Sequence, residues 1–146
     1  MARLTLLLDP RGRPLVSLLI GISKPRRLFL ESRGLPSPQT LTVTALVDTG
    51  ASDLCLDRSV VSKLGLQPTE TRRMLTASSG ALGVLEDAYV VEASLADNPG
   101  LWKSKHTVAI QHDLSGLGVE AIFGRAQLRK LKFVYHGREG WLALKD

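Results

Sequence analysis

One short run, Leu46-Val-Asp-Thr-Gly-Ala-Ser52, brings together the residue types that proton-transfer chemistry needs. An apolar segment delivers the carboxylate of Asp48, and Gly50 two residues later permits a tight turn and close backbone approach. Thr49 carries a hydroxyl able to lock that turn. A second apolar run, Leu54-Cys-Leu56, leads the chain away. A carboxylate placed where an apolar strand breaks is partly desolvated, which suits it to act as acid or base. The bare triplet is weak evidence, since average residue usage produces it by chance in roughly a few per cent of such chains. An ordinary strand end with an Asp-Gly turn has the same letters. The flanking pattern gives it weight.

Other candidates are poorer. His106, His112 and His136 are widely spaced and lack the helical i, i+4 pairing of a metal site, so no metal is expected. Cys55 is the only cysteine, which excludes an internal disulfide and a cysteine-based cluster. It lies in an apolar strand, where a thiolate is costly, so a core role is expected. Ser79-Gly80 and Ser115-Gly116 lack the pattern of a nucleophile elbow, and no phosphate-cradling glycine loop is present.

The elements that must position Asp48 are mostly short strands. Leu4 to Leu8 and Pro14 to Ile22 read as strands around the turn Asp9-Pro-Arg-Gly12. Lys24 to Arg33 reads as a short helix or an irregular excursion. Leu41 to Val47 is the strand that carries Asp48. Asp57 is placed to cap a helix over Arg58 to Leu64, with Gly65 just past its end. Met74 to Thr76 and Leu82 to Tyr89 flank Ala77-Ser-Ser-Gly80 as a hairpin. Val90 to Leu95, Thr107 to Ile110, Ala121 to Phe123, Phe133 to Tyr135 and Trp141 to Leu144 are further strands, and Gln127 to Leu131 a helical turn or two. The reading is a mainly β domain, a small barrel or sandwich.

Composition agrees with one globular domain over residues 1–146: 44% of residues are hydrophobic and 23% charged. The formal charge of +5 raises nucleic acid as a partner. Yet the basic groups Lys24-Pro-Arg26-Arg27 and Arg129-Lys130-Leu-Lys132 are too short for a dedicated arm, and only 5% of residues are aromatic. Nucleic acid is therefore an unfavoured partner. The apolar stretch Leu15 to Ile22 is too short to span a membrane and lacks the flanks of a signal peptide, so no membrane partner is expected. It reads as a buried strand, and the expected location is the cytoplasm.

Asp48-Thr-Gly-Ala-Ser52 after an apolar strand, with Ala121-Ile-Phe-Gly-Arg125 some seventy residues on, resembles the retropepsin-type aspartic peptidases, small stand-alone bacterial members among them. The likeness covers nearly the whole chain. Arg13 to Gly21 resembles the strand before the active-site strand, Leu56 to Leu66 the strand–helix unit after it, and the hairpin around Gly80 the flap. Leu128 to Tyr135 and Gly140 to Leu144 resemble the C-terminal helix and closing strand.

That resemblance implies a closed β-barrel or sandwich with a flap hairpin and short helices, assembled as a homodimer. It implies an aspartic endopeptidase without a cofactor, acting on peptide or protein substrates through two carboxylates that share a proton. None of the other seven Asp residues is followed by Thr-Gly or Ser-Gly, so the second carboxylate would come from Asp48 of another copy. The implied catalytic motif is Asp48, Thr49 and Gly50. Ala51, Ser52, Asp53, Ser78, Ser79, Gly80 and Ile122 would contact substrate, and Val47 would be a core position. Gly124 would allow close packing, and Arg125 would tie the loop to the interface. Two positions depart from the family: Ser52 stands where an aspartate usually pairs with the arginine, and Ala126 where Asp or Asn is common. Ser52 can offer only a neutral hydrogen bond, so that link is weaker unless Asp53 or Asp57 replaces the missing carboxylate. Lys24 to Gln39 is longer than the viral hairpin and would cover part of the cleft or a partner site. The alternative reading is a non-catalytic dimer of the same fold that binds peptides or a protein.

Overall fold

Apolar residues at every second position set the inner faces of the strands. In β2 (Leu15–Ile22) the buried alternating set is Val16, Leu18, Ile20 and Ile22, with Gly21 buried beside them, and in β3 (Leu41–Val47) it is Val43, Ala45 and Val47. The computed structural model describes residues 2–76 and 79–146. Besides β2 and β3 the chain forms β1 (Arg3–Leu7), α1 (Lys24–Ser32), β4 (Leu54–Asp57), α2 (Arg58–Leu64) and β5 (Glu70–Met74). Then follow β6 (Val84–Leu95), β7 (Lys103–His112), a 3-10 turn at Ser115–Leu117, β8 (Ala121–Phe123), α3 (Arg125–Leu128), β9 (Lys132–His136) and β10 (Trp141–Lys145).

Among the described residues, strands pair in the order β2-β3-β8-β4-β7-β6, and β6 returns to pair with β2 from Leu18↔Leu95 to Ile22↔Val91. This closes a barrel. β5 hangs on the outer edge of β6 as the other arm of a hairpin. Two ladders are parallel, β3 with β8 and β4 with β7; the other pairs run antiparallel. A second sheet, β1-β10-β9, lies over the barrel and sends Leu4, Leu142 and Leu144 into the same core. Phe123 is fully buried there, edge-on to Trp102 at 5.1 Å. Removing a side chain of this size from water contributes about 1.5–3 kcal/mol.

The structure is mainly β, as the sequence suggests, with differences that have local causes. Lys24–Ser32 is helical, capped by Ser23, whose hydroxyl accepts from the Arg26 N–H, with Leu30 as its buried anchor. Residues 82–95, expected as two strands, contain one twelve-residue strand, because nothing between Tyr89 and Val90 breaks it. Its irregularity is a register shift between Val91 and Ala93. β5 begins at Glu70, earlier than expected, since the charged run Glu-Thr-Arg-Arg sits on an exposed edge where polar residues are tolerated. α2 has the expected ends: the Asp57 carboxylate accepts from the Ser59 N–H, and Gly65 takes φ +57°. None of the helices among the described residues is long and apolar enough to cross a membrane.

Candidate active site

The Asp48 loop is an interrupted parallel ladder. β3 and β8 run together through Ala45↔Ala121, Leu46↔Ile122 and Val47↔Phe123, and the Asp48 N–H adds one more bond to the Phe123 carbonyl at 3.0 Å. There the backbone turns. Asp48 Oδ1 accepts from the Gly50 N–H at 2.8 Å, and the Ala51 N–H donates to the Asp48 carbonyl at 3.2 Å. The turn is thus locked by the carboxylate of Asp48 and not, as the sequence suggested, by the hydroxyl of Thr49. Thr49 is exposed, and its hydroxyl has no hydrogen bond among the described residues. Asp48 is half-buried, and its Oδ2 likewise has none.

The segment after β8 clamps this loop from behind. The Arg125 N–H donates to the Ala51 carbonyl and the Ala126 N–H to the Ser52 carbonyl, both at 2.9 Å. Arg125 Nη1 reaches the Thr49 carbonyl at 2.9 Å. Gly124 makes the approach possible: a Cβ there would lie 2.4 Å from the Asp53 carbonyl oxygen and 2.9 Å from that of Ala51. Buried Gln127 holds the Gly124 N–H through its Oε1 at 3.0 Å.

Neither Asp53 nor Asp57 replaces the missing carboxylate at Arg125. Asp53 accepts from the Ser52 hydroxyl at 3.0 Å and lies 3.9 Å from Arg72. Asp57 is occupied by the Ser59 N–H and hydroxyl and by the Leu114 N–H. Arg125 uses a backbone carbonyl instead, and Ala126 needs no polar side chain because its own N–H makes the link.

A cavity of about 750 Å³ opens in front of the loop. Asp48, Gly50, Ala51, Ser52, Asp53, Ile122 and Arg125 border it, so most of the residues named from sequence come together. Ser79 and Gly80 do not border it. They sit at the hairpin tip, where the Ser79 hydroxyl bridges to the Thr76 backbone and Gly80 takes φ +73°. Ser78 lies outside the described residues. The 24–39 excursion contributes nothing to the cavity wall of its own chain and lines a groove beside α2, so of its two expected roles, cleft cover and partner site, the first is not met within one chain.

Sequence reasoning missed part of the wall. Arg72 and Met74 come from β5, Ile110 and His112 from β7, and Leu114 and Leu117 from the loop that follows. Ile110 and His112 share one face of β7, whereas Arg72, Arg73 and Met74 border the cavity consecutively, so alternation alone does not identify the β5 part of the wall. His112 Nδ1 lies 3.4 Å from Glu86. His136 is elsewhere, stacked on Trp141 at 4.4 Å. Cys55, beneath the loop with Ile110, Leu114 and Ile122, is a core residue. Burial, reinforced by the nearby charges of Asp53, Asp48 and Glu86, pushes its thiol up to about 12, which removes it as a nucleophile. Among the described residues no three of His, Cys, Asp and Glu gather as metal ligands.

A comparison with curated proteins finds no match. Among solved structures, a retropepsin-like aspartic protease from Rickettsia conorii superposes with a TM-score of 0.61 at 18% identity, over 98% of this chain and 89% of that one. The EIAV protease, solved in complex with an inhibitor, gives 0.50 at 16% identity, over 85% of this chain and 92% of that one. At such identities the likeness establishes the fold, which is retropepsin-like. The family described as aspartyl protease matches residues 39–124, a span that runs from just before the Asp48 strand to Gly124 and makes up more than half the chain. The chain therefore belongs to the aspartyl protease family.

Proposed function

We propose that the chain is one half of a homodimeric aspartic endopeptidase in which the two Asp48 carboxylates meet on the two-fold axis. The observation that carries this reading is the state of Asp48: it stands at the edge of a cavity, its turn is locked through Oδ1, and its Oδ2 is unengaged. A single such carboxylate per chain needs a second copy, and a two-fold axis supplies it. Thr49, with an exposed and unengaged hydroxyl, would bond across that axis.

In the proposed reaction an extended peptide lies along the cavity between the Asp48 loop and the β5–β6 hairpin. Two adjacent carboxylates cannot both ionise cheaply, so one holds a proton. The ionised Asp48 takes a proton from a water molecule as its oxygen attacks the peptide carbonyl. The protonated Asp48 donates to the carbonyl oxygen. Collapse of the tetrahedral adduct breaks the C–N bond, and a carboxyl proton passes to the leaving amine. Gly50, Ser52 and Asp53 contact the substrate backbone, Ile122 forms apolar floor, and the tip with Ser78, Ser79 and Gly80 closes over the peptide and excludes water. Residues 1–146 act as one catalytic domain.

Peptide-library cleavage across mildly acidic to neutral pH, run beside sedimentation, tests the proposal. Wild type should cleave as a dimer, and Asp48→Asn should lose roughly 10²–10⁴-fold in rate while remaining dimeric. Full activity of Asp48→Asn would end the assignment. A dimer that binds peptides without turnover would instead support a binding module.

A further inference from the structure

α1 lies at the end of the barrel away from Asp48. β2 and β3 are antiparallel, with Leu15 opposite Leu46 and Ile20 opposite Leu41, so the helix that follows β2 sits where β3 begins. Asp48 follows the last residue of β3. The seven residues of that strand, at about 3.3 Å each, hold the two regions roughly 20 Å apart.

The face of α1 turned from the core is unlike an ordinary solvated helix. Leu28, Phe29 and the following Leu35 are 53%, 45% and 52% exposed, while Leu30 alone anchors the helix. Cations surround these apolar groups. The Arg26 and Arg33 guanidinium groups lie 5.4 and 5.1 Å from the centre of the Phe29 ring, so ring and charges form one unit. Lys24 is also exposed, and Lys63 of α2 shares with Arg26 a groove of about 360 Å³ beside the helix. Glu31 is the sole acid within the helix, and Arg27 is occupied by Glu92 at 3.4 Å.

Although the sequence suggests no membrane partner, we propose that this end of the molecule docks on the surface of an anionic membrane. Leu28, Phe29 and Leu35 enter the interface, while Lys24, Arg26, Arg33 and Lys63 meet lipid phosphates and carboxylates. Protruding apolar side chains ringed by cations are the features such a surface recognises. A nucleic acid would use the cations but has no use for exposed Leu28 and Leu35. Few groups are involved, so binding is reversible and weakened by salt. Docked this way, the Asp48 cavity faces away from the bilayer. The proposal stands independently of peptidase activity.

Co-sedimentation of the full chain with phosphatidylcholine vesicles, with and without phosphatidylserine, at low and high salt, tests it. Binding is expected only with phosphatidylserine and should fall at high salt. Arg26→Glu with Arg33→Glu should weaken partitioning by roughly fivefold or more per charge. Leu28→Ser with Phe29→Ser should also weaken it, at unchanged net charge. Leu28, Phe29 and Arg33 are exposed and Arg26 is half-buried, and circular dichroism checks that the fold persists. Failure to bind phosphatidylserine vesicles would overturn the proposal, as would insensitivity to either double variant. Equal affinity for free duplex DNA or polyglutamate would likewise overturn it, since bare charge would then explain the binding.

Discussion

Replacing Gly124 by alanine probes the clamp behind the Asp48 loop. The backbone at Gly124 has φ −98°, which alanine adopts freely, so any cost is steric. The new Cβ would sit 2.4 Å from the Asp53 carbonyl oxygen, 2.9 Å from that of Ala51 and 3.0 Å from the Asp53 carbonyl carbon. All three neighbours are backbone, so no side chain can swing aside. Restoring ordinary contact at about 3.4 Å requires the two segments to separate by about 1 Å. That movement strains the Arg125–Ala51 and Ala126–Ser52 bonds and displaces the turn that aims Asp48. Overpacking of this kind costs about 1–3 kcal/mol, and a displacement of about 1 Å in a catalytic loop costs on the order of 10² in rate. Denaturant unfolding at fixed protein concentration, with peptide cleavage in parallel, measures both. Gly116→Ala is the control, because nothing lies within 4 Å of its Cβ position, and it should change stability by less than about 0.5 kcal/mol. A Gly124→Ala protein that unfolds and cleaves like wild type would refute the reasoning.

Arg125→Ala removes the bond to the Thr49 carbonyl; cleavage should fall at least about tenfold for a stability loss of only about 1 kcal/mol, read by the same two assays. Cys55 should resist iodoacetamide in the native protein and react once it is unfolded. Its folded pKa is raised from 9.0 to about 12, so its stabilising contribution is complete below pH 9 and is lost as pH rises through about 12. Unfolding measured at about pH 8 and pH 10 should show this loss, and Cys55→Ala should reduce it. Asp57→Ala leaves the Ser59 and Leu114 N–H groups unpaired and should cost about 1–2 kcal/mol in denaturant unfolding. The Ser59 hydroxyl and the backbone amides hold this carboxyl below 3.8, so its contribution is present above that pH and is lost as pH falls further.

What could be read in the sequence was local. β3 and β8 are bounded by their own apolar runs, and α2 by Asp57 and Gly65, and each was placed at its observed ends. Links between distant segments were hidden. The closure of β6 onto β2 pairs residues far apart in sequence and has no letter pattern. Arg125 was recognised, but its acceptor is a backbone carbonyl, which a sequence does not display. The sequence shows Asp57 as a helix cap, but its further bond, to the Leu114 N–H, depends on the parallel pairing of β4 with β7. The early start of β5 is hidden because Glu70, Arg72 and Arg73 suit an exposed edge and give no apolar alternation, although Arg72, Arg73 and Met74 all border the cavity.

Mixing wild type with Asp48→Asn tests the shared carboxylate pair most directly. If each active site takes one Asp48 from each of two chains, only wild-type pairs cleave, so activity follows the square of the wild-type fraction. An equal mixture, allowed to exchange subunits, should retain roughly one quarter of the activity of the same total protein as wild type. Activity that instead falls in simple proportion to the wild-type fraction, in a sample shown to have exchanged, would mean that each chain works alone and would contradict the account.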